Sequence, residues 1–155
     1  MPADAAQLAR TWFEEVWNQG KTEAIDRLMT EDVVIHGLVG PHGPDLRGPD
    51  QFKPFHESFR AAIPDIHIEV LDTITEGDRV AVRCRVTGTH TGRGIGIEPT
   101  GRKIDFGGVS IVRMCGDRFC EGWNYFDFLA CYQQIGVIPA LDPADAAASA
   151  SATLV

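Results

Sequence analysis

The chain has 155 residues, of which 44% are hydrophobic and 23% charged, and this composition is typical of one globular domain and excludes a disordered chain. The formal net charge of −8, with no local cluster of Lys or Arg, argues against a nucleic-acid partner. The apolar runs are too short to span a bilayer and the first residues lack a signal-peptide pattern, so we expect a cytoplasmic protein with no membrane partner.

The chain begins with a strong helical pattern. Asp4 and Gln7 have the spacing of a capping box, and apolar residues then recur every three or four positions up to Gly20. Thr22 is a suitable N-cap for a second, shorter helix. The sequence therefore predicts two successive helices before residue 30.

A short strand is predicted at 33–36, and the Gly- and Pro-rich stretch 37–49 reads as a loop. A third helix follows, opened by Gly48-Pro49-Asp50 and stopped by Pro64. Pro54 removes a backbone hydrogen bond within it, which predicts either a kink or a later start.

From residue 65 onward the hydrophobic period changes from helical spacing to alternation. Alternation and turn residues predict four long strands, at 66–75, 78–90, 102–114 and 118–127. Helices first and an antiparallel meander afterwards predict an α+β fold, in which three N-terminal helices pack on one face of a curved sheet. We expect one domain over residues 1–139 and a disordered or loosely packed tail over 140–155.

The apolar face of this sheet and the aromatic residues of the helices are expected to enclose a pocket for a hydrophobic small molecule. On the strands, alternation places Ser110 and His90 on the apolar face. His90 also lies in a Gly-flanked turn, and a structural role there is the alternative to a place in the pocket. From the helices we expect Trp17, Phe55 and Phe59 to line the pocket.

The last strand carries Glu121-Gly-Trp-Asn-Tyr-Phe-Asp127, and alternation assigns Trp123, Tyr125 and Asp127 to one face. Burial of the two rings would place the Asp127 carboxylate in or beside an apolar surface, where desolvation raises its pKa toward neutrality. Such a group acts as a general acid or base. The structural alternative is that Asp127 caps the following segment, residues 128–134.

Histidines and cysteines indicate no metal site, because neither type shows the spacing of zinc ligands. His36 ends the first strand and is our candidate for a second acid or base, the alternative being a loop histidine bonded to backbone. Cys115 and Cys120 flank a predicted hairpin turn. A disulfide between them is geometrically conceivable, but in a cytoplasmic chain we expect reduced thiols.

An ordered set of short motifs resembles a known family. The motifs are Trp17-Asn18 with Gly20, Ile63-Pro64-Asp65, Glu76-Gly77-Asp78-Arg79-Val80, Thr87-Gly-Thr-His-Thr-Gly92, Glu98-Pro-Thr-Gly101 and Glu121-x-Trp-Asn-x-x-Asp127 followed by Gln134-Ile-Gly136. Together they resemble the SnoaL-like polyketide cyclase, or ester cyclase, family, whose fold is the cone-shaped α+β barrel of nuclear transport factor 2. The resemblance covers about residues 5–138.

The resemblance implies an enzyme without cofactor, in which the last-strand aspartate, here Asp127, is the acid/base for an intramolecular aldol closure of a polyketide ester. The best-known cyclases carry a histidine on the preceding strand, and this sequence has Ser110 there.

Two other functions stay open. The segment Trp123-Asn-Tyr-Phe-Asp127 also resembles the last strand of limonene epoxide hydrolases, although the Arg-x-Asp unit that those enzymes need is replaced by Arg83-Cys-Arg85. A carrier or scaffold that binds a small molecule without turnover is the non-enzymatic alternative. We also expect a homodimer, because the second face of the sheet mixes Ala81, Val109 and Ile111 with charged residues.

Overall fold

The structure is a computed structural model that describes residues 4–40 and 43–139. The tail predicted at 140–155 lies outside the described residues. Within the described ranges, none of the helices has the length and apolar character that a bilayer crossing needs.

The first helix changes its winding part-way along. Helix α1, Ala5–Thr11, is capped by the Asp4 carboxylate, which accepts hydrogen bonds from the backbone N–H groups of Ala6 and Gln7. The chain then continues as a π-helical segment, Trp12–Asn18, a rare winding that is frequent at functional sites. Four side chains of this segment are buried: Trp12, Phe13, Val16 and Trp17.

The end of the π-helical segment is held by helix α3, Gly48–Ala62. His56 Nε2 lies 2.7 Å from the carbonyl oxygen of Val16, and the Arg60 guanidinium donates to the carbonyl oxygen of Trp17. These two bonds satisfy carbonyl groups that a helix terminus leaves without a helical partner.

The remaining helices are short. Helix α2 spans Thr22–Leu28, as the N-cap pattern predicts, and helix α4 spans Phe128–Gln134. Helix α3 begins at Gly48 and continues through Pro54, so the alternative of a later start is wrong.

Six strands form one mixed sheet in the order β2-β1-β6-β5-β4-β3. The strands are β1 Met29–His36, β2 Leu46–Arg47, β3 His67–Glu76, β4 Arg79–Thr89, β5 Lys103–Cys115 and β6 Arg118–Phe126. All pairs are antiparallel except β1 with β6. The predicted meander is therefore confirmed, while the short β2 was missed inside the predicted loop.

The β5–β6 hairpin contains a bulge that decides which side chains face the helices. Near the turn Met114 pairs with Phe119, but one step further Arg113 pairs with Glu121, so Cys120 is the extra residue. A bulge of one residue exchanges the two faces of the strand beyond it. It therefore places Ser110 opposite Asn124 on the same face.

The two cysteines of this hairpin are joined by a disulfide, Cys115–Cys120, with a Cα–Cα distance of 5.6 Å. The expectation of reduced thiols at these positions is wrong. The hairpin brings the residues to either side of a tight turn, within the usual Cα–Cα range for a disulfide. Cys84 and Cys131 are buried free thiols. Burial raises the pKa of Cys84 to about 12 and that of Cys131 to about 11.

One face of the sheet packs against the helices and forms the core. Alternate residues of β4, Val80, Val82, Cys84 and Val86, are almost fully buried on this inner face. Arg83 and Arg85 lie between them on the outer face and pair with Asp72 and Asp105. The predicted α+β class, with helices on one face of a long sheet, is confirmed.

Candidate active site

The inner face of the sheet and the helices enclose a cavity of about 80 Å³, measured as the space open to the centre of a water molecule. The cavity wall is mostly apolar and rich in aromatic rings, which belong to Trp12, Phe13, Trp17, Phe52, Phe55, Phe59, Phe106, Phe119, Phe126 and Phe128. A flat, hydrophobic ligand is the class that such a wall suits.

Two neutral polar side chains interrupt this wall, Ser110 of β5 and Asn124 of β6. The Ser110 hydroxyl donates to Asn124 Oδ1 at 2.5 Å, and Asn124 Nδ2 donates to the backbone oxygen of His36 at 3.0 Å. These bonds leave the Ser110 lone pairs and the second Asn124 N–H for a ligand. The site can therefore bind a hydroxyl and a carbonyl oxygen side by side.

The residues that alternation assigned to the inner face of β5 and to the helices are where we expected them. Trp17, Phe55, Phe59 and Ser110 all line the cavity. Their contact with a substrate stays a prediction, since position alone does not establish binding.

On β6 the predicted face is wrong. Tyr125 is 66% exposed and Trp123 lies on the outer face, where its ring stacks with His36 at 5.5 Å and has Arg79 5.3 Å from its centroid. The bulge at Cys120 exchanged the faces, so Asn124 and Phe126 point inward in their place. Alternation within β6 alone gives no signal of this, although the disulfide-flanked turn marks where the bulge lies.

Asp127 follows β6 and is exposed, so the expected location in an apolar surface is wrong. Its carboxylate accepts a hydrogen bond from the backbone N–H of Ala130 at 2.9 Å and forms the N-cap of α4, as the structural alternative predicted. The adjacent Phe126 and Phe128 both line the cavity. Asp127 is therefore flanked in sequence by two cavity-lining residues, while its own side chain is exposed and caps α4.

His36 does not face the cavity. Its Nδ1 lies 2.9 Å from Asp45 and its Nε2 lies 2.9 Å from Glu121, which also accepts a hydrogen bond from Arg113 at 3.2 Å. The bond to Glu121, with the one to Asp45, raises the pKa of His36, and His36 with Arg113 lowers the pKa of Glu121. Glu121 borders the cavity, but its carboxylate is engaged in this outer-face network.

His90 is fully buried but does not line the cavity, contrary to our expectation. Its Nδ1 lies 3.1 Å from the Thr100 hydroxyl and accepts from the Thr100 backbone N–H at 3.4 Å. The ring therefore fastens the 91–101 loop to the end of β4, which is a structural role. His90 follows Thr89, the last residue of β4, and beyond the strand alternation no longer determines which way a side chain points.

Among the described residues no group of three His, Cys, Asp or Glu side chains is arranged to hold a metal ion. Arg83 and Arg85 of the central strand lie on the outer face in ion pairs, so they do not supply the Arg-x-Asp unit of an epoxide hydrolase to the cavity.

The sequence profile described as SnoaL-like polyketide cyclase matches residues 7–135. The chain belongs to this family. Its relatives include two aklanonic acid methyl ester cyclases, DauD of Streptomyces sp. strain C5 and DnrD of Streptomyces peucetius. Each is 25% identical over 123 residues, which is 79% of this chain and 76% or 84% of the relative.

Solved structures share the fold of this SnoaL-like chain. AclR of Streptomyces galilaeus, described as a proposed hydroxylase, has a TM-score of 0.79 and 26% identity, covering 96% of this chain and 90% of its own. IdmH of Streptomyces antibioticus, a proposed polyketide cyclase, has a TM-score of 0.72 and 28% identity, covering 84% and 96%. A ketosteroid isomerase-like protein of Catenulispora acidiphila, 16% identical with a TM-score of 0.71 over 88% and 98%, supports the fold alone. The fold is therefore of the nuclear transport factor 2 type, as the resemblance implied.

Proposed function

We propose that the protein is a cyclase that closes a ring in a hydrophobic, polyketide-derived carbonyl compound held in the cavity. The observation that carries the proposal is the Ser110–Asn124 pair within an otherwise mostly apolar wall. The membership in the cyclase family and the two curated ester cyclases support the reaction class. Because one fold hosts many activities, the argument for function rests on the site.

In an aldol closure, a base removes a proton from the carbon between two carbonyl groups, and the resulting enolate carbon forms a bond to another carbonyl carbon of the same molecule. That carbonyl oxygen then takes up a proton, so the product is an isomer of the substrate. Proton transfers alone complete this reaction, and we therefore propose that no cofactor takes part. The charge develops on oxygen, where fixed hydrogen-bond donors accelerate the reaction.

Asn124 would donate its second N–H to the oxygen on which charge develops. Ser110, whose hydroxyl proton is donated to Asn124, would accept a hydrogen bond from a ligand hydroxyl. The Asn124 amide is held by its bond to the His36 carbonyl, so its second N–H is oriented before the ligand arrives. A donor that is already oriented needs no reorganisation as the charge develops. In this proposal the pair takes the place of the histidine that the best-known cyclases carry at the position of Ser110.

Asp127 is the proposed acid/base. It stands between two residues that line the cavity, whereas the Glu121 carboxylate is engaged with His36 and Arg113. For proton transfer the Asp127 carboxylate must leave the Ala130 N–H and turn toward the ligand. The substitution Asp127→Asn keeps a capping oxygen while it removes the proton-transferring group, so it separates the two roles.

The test is incubation of purified protein with aklanonic acid methyl ester, the compound named in the two curated relatives, followed by chromatography and mass spectrometry. We expect a product of unchanged mass with a new retention time, formed on the order of 10²–10⁴ times more slowly by Asp127→Asn. Tyr125→Phe, which changes an exposed outer-face side chain, is the matched control and should keep the wild-type rate. Equal rates for Asp127→Asn and wild type would contradict the acid/base assignment.

A non-catalytic carrier is the second candidate, favoured by one observation, the capping position of the exposed Asp127 side chain. A carrier would bind the same ester in the cavity without converting it. Saturable binding with no isomer formed after prolonged incubation would support the carrier and contradict the cyclase.

A further inference from the structure

Phe128 of α4 lines the cavity, and we propose that its ring closes one end of the cavity and so sets the length of the ligand that the cavity accepts. Phe128 is the first residue of α4 and the member of that helix that borders the cavity. The next residue, Leu129, is 55% exposed. The inference rests on the proposed function, because it concerns the ligand of the same cavity.

The Phe128 ring completes an aromatic end wall between the helices and the sheet. Its centroid lies 6.2 Å from that of Phe59 on α3, 6.1 Å from Phe106 on β5 and 6.3 Å from Phe126 on β6. Ring centroids at these separations are in the attractive range of aromatic pairs. One ring thus joins three elements across the end of the cavity.

This wall is fixed, because α4 is bonded to the sheet on both sides of Phe128. The Asp127 N–H donates to the Gly107 oxygen at 2.9 Å and continues the β5–β6 ladder for one step. Beyond it, the Gln134 side-chain amide accepts from the Asp105 N–H at 2.7 Å and donates to the Asp105 oxygen at 2.8 Å, in the manner of a neighbouring strand. A wall held in this way excludes ligands by size.

The Ser110–Asn124 pair lies at a defined distance from the aromatic end wall formed around Phe128. On the inner face of β5 the order is Ser110, Gly108, Phe106, so Ser110 lies about 13 Å from the aromatic end at about 3.3 Å per residue. Gly108 makes room for the Phe126 ring, which also lines the cavity, because a Cβ at residue 108 would lie 2.3 Å from that ring and displace it. A ligand with an oxygen at Ser110–Asn124 that extends toward α4 meets Phe128 within this length.

The experiment measures binding by equilibrium dialysis of three hydroxylated probes, an anthracenedione, a tetracenedione and a pentacenedione, which have three, four and five fused rings. For the wild type we expect affinity to fall between four and five rings. Phe128→Ala should bind the five-ring probe at least about tenfold more tightly than the wild type does, the scale on which an apolar pocket discriminates size, and leave the three-ring probe unchanged. Leu129→Ala is the matched control and should reproduce the wild-type series.

Phe128→Leu keeps an apolar side chain at this position and should shift the series in the same direction by a smaller factor, even if Phe128→Ala does not fold. A change by the same factor for all three probes, or no change, would overturn the end-wall assignment while leaving the cavity as the binding site. Failure of the wild type to bind any probe would instead contradict the proposed function, and this inference with it.

Discussion

Asp127 has a structural role as a helix cap and a proposed catalytic role as an acid or base. Its carboxylate caps α4 through the Ala130 N–H, while its neighbours in sequence line the cavity. The sequence predicted both possible roles but placed the side chain on the wrong face, since the bulge in β6 lies outside any alternation pattern. Sequence reasoning therefore predicted the cap but not the surroundings of the side chain, and the acid/base role stays a prediction.

The two roles predict different responses of the free energy of unfolding. Asp127→Ala removes the cap and should lower it by about 1 kcal/mol, whereas Asn is as good an N-cap as Asp and should leave it nearly unchanged. Urea unfolding of the wild type and both variants measures this difference. A wild-type value for Asp127→Ala would show that the cap contributes nothing.

At the scale of elements, the network around His36 joins four parts of the chain. Asp45 belongs to the segment before β2, His36 ends β1, Glu121 lies in β6 and Arg113 in β5. Trp123 packs between His36 and Arg79 on the same outer face. This network holds the end of β1, where the His36 carbonyl accepts the hydrogen bond from Asn124.

The pKa of His36 is higher in the folded protein than its ordinary value of 6.5. A group with a raised folded pKa contributes stability that is complete below its unfolded pKa and is lost as the pH rises through the folded value. We therefore predict that the free energy of unfolding falls as the pH increases from about 6.5, and that His36→Gln weakens this dependence. His67→Gln, at an exposed position on β3, is the control. Identical pH profiles for wild type and His36→Gln would contradict the prediction.

Patterns with a strict local period could be predicted at this scale. The helices of the first part, the four long strands and the inner faces of β4 and β5 follow from spacing alone, because burial imposes that spacing. The π-helical winding, the two-residue β2 and the inward face of β6 could not be predicted. The first two depend on contacts with distant residues, such as the bonds from His56 and Arg60 to the end of the π-helical segment. The face of β6 depends on a one-residue bulge that alternation does not reveal.

At the scale of the whole molecule, the outer face of the sheet carries an apolar row. Strand pairing aligns Ile74, Ala81, Ile111 and Trp123 across four strands. Ile74 is 73% exposed, and charged pairs such as Arg83 with Asp72 flank the row. A face with an apolar centre and a rim of both charges is suited to contact with a second copy of itself.

The homodimer stays a prediction, and this row gives its location. Sedimentation at micromolar concentration should give about twice the 16.9 kDa mass of the chain. Ile111→Lys places a charge at the centre of the row and should produce monomers, whereas Leu129→Lys on α4 should not. A wild-type protein that sediments only as a monomer would contradict this interface.

The claim on which the functional account depends is that the substrate oxygen binds at the Ser110–Asn124 pair inside the cavity. A crystal structure of Asp127→Asn with aklanonic acid methyl ester tests it most directly, since this variant should bind the ester without converting it. We predict a ligand oxygen within about 3.2 Å of Ser110 Oγ or Asn124 Nδ2, with the ring system against the aromatic wall. An ester bound on the outer face of the sheet, or in the cavity with no oxygen near either side chain, would contradict the account.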